Sequence, residues 1–154
     1  MIRDLVQKAA LVPELRANAK DAALKELLAA AVATGAIPAA SVKALGKRLT
    51  EREAIGSTGL GNGVAVPHVK GDDVQHVTLV LARRPAGIEW QAIDGRPVSI
   101  MFLLVSPNSD PEQHLQCLRW IAGLVRNADF RRFLLDAPDE RAMRDLLIEM
   151  GGKG

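Results

Sequence analysis

The chain has 154 residues, 48% of them apolar and 25% charged, which is one ordinary globular domain with no room for a second core of comparable size. Lysine and arginine total 20 against 18 acidic residues, a net charge of +2, so no strong field for nucleic acid or a membrane surface is implied. The five aromatics (Trp90, Phe102, Trp120, Phe130 and Phe133) are too few for the stacking platform of a single-strand binder.

The single cysteine, Cys117, cannot form an internal disulfide, which fits a reducing compartment. Charges at Arg3, Asp4, Lys8 and Glu14 exclude a signal-peptide apolar block, and the longest uncharged runs contain Gly and Pro and are too short to span a bilayer. A soluble, cytoplasmic protein is expected.

In chain order, the first third reads as helices. Leu24, Leu27, Leu28 and Ala31 have the spacing of one buried helical face; Asn18 with Asp21 marks a start and Gly35 a stop. Pro38 suits the first turn of a second helix running to about Leu49. The segment Ala54–Val69 then holds four glycines and ends in Val64-Ala65-Val66-Pro67-His68. Strands are predicted at Val64–Val66, Val77–Leu81 and Val98–Val105, the last apolar enough to be buried on both faces, with a short one at Ile88–Ala92 and a turn at Asp94-Gly95. Asp110-Pro111-Glu112-Gln113 opens a helix whose predicted stripe is Leu115, Leu118, Ala122 and Val125. Helices near Asp129–Leu135 and from Pro138, the last with Met143, Leu146, Leu147 and Met150 inward, complete the chain; its last four residues are expected to fray. Helices on both sides of a cluster of strands imply an α/β sandwich, read as a single domain over residues 1–154.

The glycine run does not have the spacing of a dinucleotide or Walker loop; its glycines serve tight turns and close backbone approach. His114 and Cys117, three apart on one helix, form no closed zinc set without a second cysteine, so no metal and no cofactor are expected. Cys117 lies inside the buried-stripe helix and no G-x-S-x-G occurs, which sets aside cysteine and serine hydrolases. His76, after Asp72-Asp73, reads as an exposed or edge-strand histidine. His114, in the first turn of its helix, should have its pKa lowered by the positive helix end. His68 stands out, because strand, proline and glycines give it a fixed backbone and an open surface together.

The run from Glu53 to His68, EAIGSTGLGNGVAVPH, resembles the active-site signature of the fructose/mannitol/nitrogen-type IIA proteins of the bacterial phosphoenolpyruvate-dependent phosphotransferase system. Val69 departs from the small residue usual after that histidine. The run from Gly87 to Val98 and the pair His114-Leu115 resemble the family's second and third blocks, so the likeness covers residues 18–150 or so. It implies a central mixed sheet with helices on both faces. It also implies His68 as the phosphorylated histidine, His114 as the second active-site histidine and Arg52 as an arginine near the phosphoryl group.

Elementary chemistry is consistent with those roles. Imidazole is a nucleophile near neutrality, and phosphoryl transfer is mostly positioning and charge stabilisation. The Arg52 fork suits phosphate oxygens, and Ser57 and Thr58 are candidate phosphate donors. Glu53 reads as a partner for backbone amides and not as a catalytic group.

The expected partners are an HPr-like phosphocarrier and then a IIB domain or a regulatory target, with no nucleic acid and no membrane insertion. The free-standing chain, the GSTGLGNG run and Ala92-Ile93-Asp94 favour the nitrogen-regulatory branch over a sugar-permease IIA. A non-catalytic binding module that kept the fold is the reading of another class; the presence of His68, Arg52 and His114 together argues against it.

Overall fold

The computed structural model describes residues 2–151, so the fraying expected at residues 152–154 lies outside it. Six strands form one mixed sheet in the order β1-β5-β6-β3-β2, with β4 also on β6: β1 (Ala10–Val12), β2 (Gly59–Gly61), β3 (Val64–Ala65), β4 (His68–Gly71), β5 (Thr78–Ile88) and β6 (Val98–Pro107). β5 and β6 are antiparallel, while β3 and β4 run parallel to β6 one after the other along its far edge.

Helices α2 (Lys20–Ala33) and α3 (Val42–Ile55) cover one face; α1 (Ile2–Lys8), α4 (Pro111–Val125), α5 (Ala128–Asp136) and α6 (Glu140–Gly151) cover the other. β6 feeds both cores. Met101, Leu103 and Val105 point to the α2–α3 side, and Ile100, Phe102 and Leu104 to the other, as its unbroken apolar run predicts. Each fully buried side chain of this kind contributes roughly 1.5–3 kcal/mol of transfer free energy. The expected mixed α/β sheet with helices on both faces is what the chain forms.

Several local expectations differ. α2 begins at Lys20, and its N-cap, Ala19, has no capping side chain; Glu26 instead reaches back to accept from the amides of Arg16 and Ala17. Gly35, at φ +84°, does end that helix, its amide donating to Val32 O. After a turn of 3₁₀ helix at Ala39–Ser41, α3 runs on to Ile55, six residues past the predicted end, which puts Arg52 and Glu53 in its last turn. Ile88 closes β5, and residues 89–92 are irregular, with Gln91 at φ +58° and Trp90 fully buried, in place of a short strand.

α4 starts as predicted, Asp110 accepting from the Gln113 amide with Pro111 in the first turn. Its buried residues are His114, Cys117, Ile121, Leu124 and Val125; of the predicted stripe Val125 is buried and Leu118 packs against the core, but Leu115 is 48% exposed and His114 and Cys117 take the inward positions of the first turns. A buried polar residue, His114, occupies a stripe position that an apolar pattern cannot register.

Candidate functional site

The glycine run builds the approach to the site. Gly61, Asn62 and Gly63 all have positive φ and turn β2 back into β3, with the Asn62 amide donating to the Asp94 carboxylate at 2.9 Å. At Gly59 a Cβ would lie 2.7 Å from the Ala92 Cβ, so only glycine lets β2 lie against the 89–92 segment. After β3 the chain is held by Val66 N donating to Thr58 O and Leu104 N donating to Pro67 O. His68 then opens β4 opposite Leu104.

His68 is half-buried, and its Nδ1 lies 2.8 Å from the Val66 carbonyl oxygen. A carbonyl can only accept, so Nδ1 carries the proton and the Nε2 lone pair of the neutral ring is free. The His114 ring stands 5.6 Å from the His68 ring, centroid to centroid, tilted by 54°. His114 is buried at 7% exposure, its Nδ1 is 2.7 Å from Ser106 Oγ, and Ser106 lies on the adjacent strand β6. Its pKa is lowered from 6.5 to about 4, first by burial, then by the charges of His68 and Lys70. The expected direction holds, but its main source is burial and not the helix end.

Arg52 and Glu53 lie in the last turn of α3, and none of their hydrogen bonds or ion pairs is to His68 or His114. Arg52 is half-buried and donates from Nη1 to Gly56 O at 2.7 Å, tying off its own helix. Glu53 has only 6% of its side chain exposed and pairs with Lys20 at 2.6 Å. Its other contacts are the Thr58 amide at 3.1 Å and the Thr58 hydroxyl, so it does bind a backbone amide. Lys20 also donates to Trp90 O and lies 5.6 Å over the Trp90 ring.

Ser57 donates to Trp90 O at 2.9 Å and accepts from the Gly59 amide; buried Thr58 accepts from Trp90 Nε1 at 3.4 Å. The hydroxyls of both phosphate-donor candidates are thus engaged within the α3–β2–Trp90 network.

Lys70, which the sequence analysis does not single out, lies on β4 opposite Ser106, and its carbonyl accepts from Arg48 Nη1 at 2.7 Å. The alternation of a strand, counted from His68, is the signal that would have found it. His76 is exposed before β5 and lines a cavity of about 580 Å³ that neither His68 nor His114 lines. Among the described residues no three His, Cys, Asp or Glu side chains are grouped to hold a metal, and no helix is long and apolar enough to cross a membrane.

A half-buried imidazole with one nitrogen pinned and the other free, beside a second imidazole whose pKa is lowered by burial, is an arrangement chemically able to act as a nucleophile. The sequence profile described as "Phosphoenolpyruvate-dependent sugar phosphotransferase system, EIIA 2" matches residues 4–150, and the chain belongs to that family of IIA phosphotransfer proteins.

Within it, the chain is 37% identical over 147 residues to a "Nitrogen regulatory protein" of Bradyrhizobium diazoefficiens, covering 95% of this chain and 94% of that one. It is 35% identical over 102 residues to a "PTS system fructose-specific EIIA component" of Haloferax volcanii, covering 66% of each. The solved nitrogen regulatory protein IIA-Ntr of Neisseria meningitidis superposes with a TM-score of 0.83 at 28% identity, covering 95% of this chain and 98% of that one.

Proposed function

We propose that this chain is a phosphoryl-relay protein whose His68 Nε2 accepts a phosphoryl group from an HPr-like phosphocarrier, with the resulting phosphorylation state serving as a regulatory signal in the cytoplasm. The observation that carries the reading is the Val66 carbonyl at 2.8 Å from His68 Nδ1, which leaves Nε2 as the nucleophile. In the transfer, the N–P bond on the carrier histidine breaks and leaves its electron pair on the carrier nitrogen, while the Nε2–P bond forms on His68. No proton has to cross between the proteins. The Nδ1–H remains on Val66 O, where the carbonyl dipole stabilises the positive character that phosphorylation gives the ring.

His114, neutral at physiological pH, adds no competing charge and offers polar atoms beside the acceptor. Arg52 retains guanidinium donors beyond the one on Gly56 O, which remain for phosphate oxygens. The group passes between two side chains, so the reading needs neither metal nor cofactor. It treats residues 1–154 as one domain.

The regulatory role is favoured by the nitrogen regulatory relative, which matches over nearly the whole length of both chains. The fructose-specific relative supports a second reading, delivery of the phosphoryl group to a permease IIB domain.

The test is incubation with enzyme I, an HPr-type carrier and labelled phosphoenolpyruvate, followed by mapping of the label. Acid-labile label on His68 Nε2, absent from His68→Asn, is expected; full labelling of that variant overturns the assignment. Efficient passage of the label onward to a purified fructose-type IIB domain would favour the second reading.

A further inference from the structure

We propose that Lys70 supplies the cation that holds the phosphoryl oxygens on His68. The inference rests on the reading of His68 as the phosphoryl acceptor and assigns a residue that neither the motif nor the family blocks single out.

The strand geometry carries it. His68 and Lys70 are two residues apart on β4, so their side chains leave the same face about 7 Å apart at the Cα atoms. That face is the half-exposed one, since burial along the strand alternates half-buried, buried, half-buried, buried. Across the ladder Lys70 pairs with Ser106, whose hydroxyl holds His114 Nδ1. Lys70 is therefore bracketed by the acceptor along its own strand and by the anchor of the second histidine on the next.

Its backbone is fixed as well, because Arg48 on α3 donates to the Lys70 carbonyl. Its charge is felt at the site, since it adds to burial, the main cause, in lowering the His114 pKa.

Lys70 is also uncommitted. Among the described residues its ammonium has neither a carboxylate within salt-bridge distance nor a hydrogen-bond acceptor. Lys20 is bound to Glu53 and the Trp90 carbonyl, and Arg52 has one of its donors on Gly56 O. A phosphoryl group brings close to two negative charges onto His68. A lysine with a four-carbon stem and three rotatable donors can meet them without moving the backbone. Before transfer, Lys70 and a neutral His68 have little mutual attraction; afterwards the interaction is charge-assisted, so it favours the phosphorylated state selectively.

The experiment separates this role from partner docking and from the acceptor assignment. Phosphorylated HPr-type carrier is mixed with wild type, Lys70→Met, Lys70→Gln, Lys70→Arg and His68→Asn, and both the initial rate and the final partition of label between the two proteins are measured. Loss of one charge-assisted hydrogen bond corresponds to roughly a ten- to hundredfold effect. Lys70→Met and Lys70→Gln are each expected to shift the partition toward the carrier by that factor, with Lys70→Arg restoring most of it.

The partition is an equilibrium quantity and does not respond to how tightly the proteins dock. A lower rate with an unchanged partition makes Lys70 a docking residue and overturns the proposal. An unchanged partition and rate overturn it too, while label confined to His68 leaves the acceptor reading standing. Full labelling of His68→Asn removes the acceptor reading, and the Lys70 proposal with it.

Discussion

The two ends of the signature segment handle their polar groups in opposite ways. At the Glu53 end, Lys20, Glu53, Ser57, Thr58 and Trp90 satisfy one another through a nearly buried ion pair and a chain of hydrogen bonds. At the His68 end, one ring nitrogen of His68 is pinned, the other is free, and among the described residues the neighbouring Lys70 ammonium has no partner. The first arrangement fixes the backbone of the loop; the second leaves capacity for a group that arrives later. The signature segment therefore mixes polar residues satisfied within the scaffold with polar residues left open, and their hydrogen-bond partners separate the two.

The largest expected effect falls at the open end. His68→Asn should abolish phosphorylation by the carrier while changing unfolding free energy by no more than about 1 kcal/mol, since a half-buried ring with one hydrogen bond is lost. Denaturant unfolding alongside the labelling assay checks both halves. A variant that fails to fold would move His68 to the scaffold side of the comparison.

The closed end should behave in reverse. Glu53→Ala leaves the Lys20 ammonium, 17% exposed, without its carboxylate and the Thr58 amide without its acceptor, a loss of about 3–5 kcal/mol. The double variant Lys20→Met/Glu53→Gln should recover part of it, because neither charge is then stranded. At a temperature where Glu53→Ala remains folded, label acceptance per folded molecule should stay within a few-fold of wild type. A hundredfold deficit would place Glu53 in the chemistry.

His114 sits between these extremes and gives a pH signature. Its pKa falls from 6.5 in the unfolded chain to about 4 in the folded one. Between those values the unfolded chain binds the extra proton, so stability is lost as pH drops below about 6.5 and the loss levels off below about 4. Burial sets the shift, and the upper bound is about 3 kcal/mol. His114→Gln should flatten this part of the stability profile between pH 7 and pH 4.5 and slow transfer without stopping it. An unchanged slope would mean that His114 is not held neutral by its surroundings.

Much of this was legible beforehand, for identifiable reasons. Helix α2 carries leucines at helical spacing, strand β6 is a nearly unbroken apolar run, and the Asp110–Pro111 start is chemically distinctive. β1 and β4 were not legible: each is three or four residues long and defined by pairing with distant β5 or β6. α1 was missed for a related reason, since its seven residues are fixed by packing against the sheet and α6. The first turns of α4 are not legible because a polar residue, His114, takes an inward position there. Lys70 is not legible in the sequence because β4 is defined only by its pairing with β6, and without that strand there is no alternation to count from His68.

The smallest expected effect belongs to Arg52, which lies on the boundary between the two ends. One of its five N–H donors is used on Gly56 O, at the exit of α3, and the others remain for an incoming anion. If the capping bond were its whole role, Arg52→Ala would cost roughly 0.5–1.5 kcal/mol of stability and nothing in transfer at matched folding. If its remaining donors meet phosphate oxygens, Arg52→Lys keeps the charge but loses the planar fork. Its transfer rate should then fall between those of wild type and Arg52→Ala, about tenfold separating the two ends of that series. Initial phosphorylation rates at equal fractions folded decide between these outcomes. A graded series puts Arg52 with His68, His114 and Lys70; identical rates in all three proteins put it with Glu53 and Thr58, leaving Lys70 as the cation on which the phosphorylated state depends.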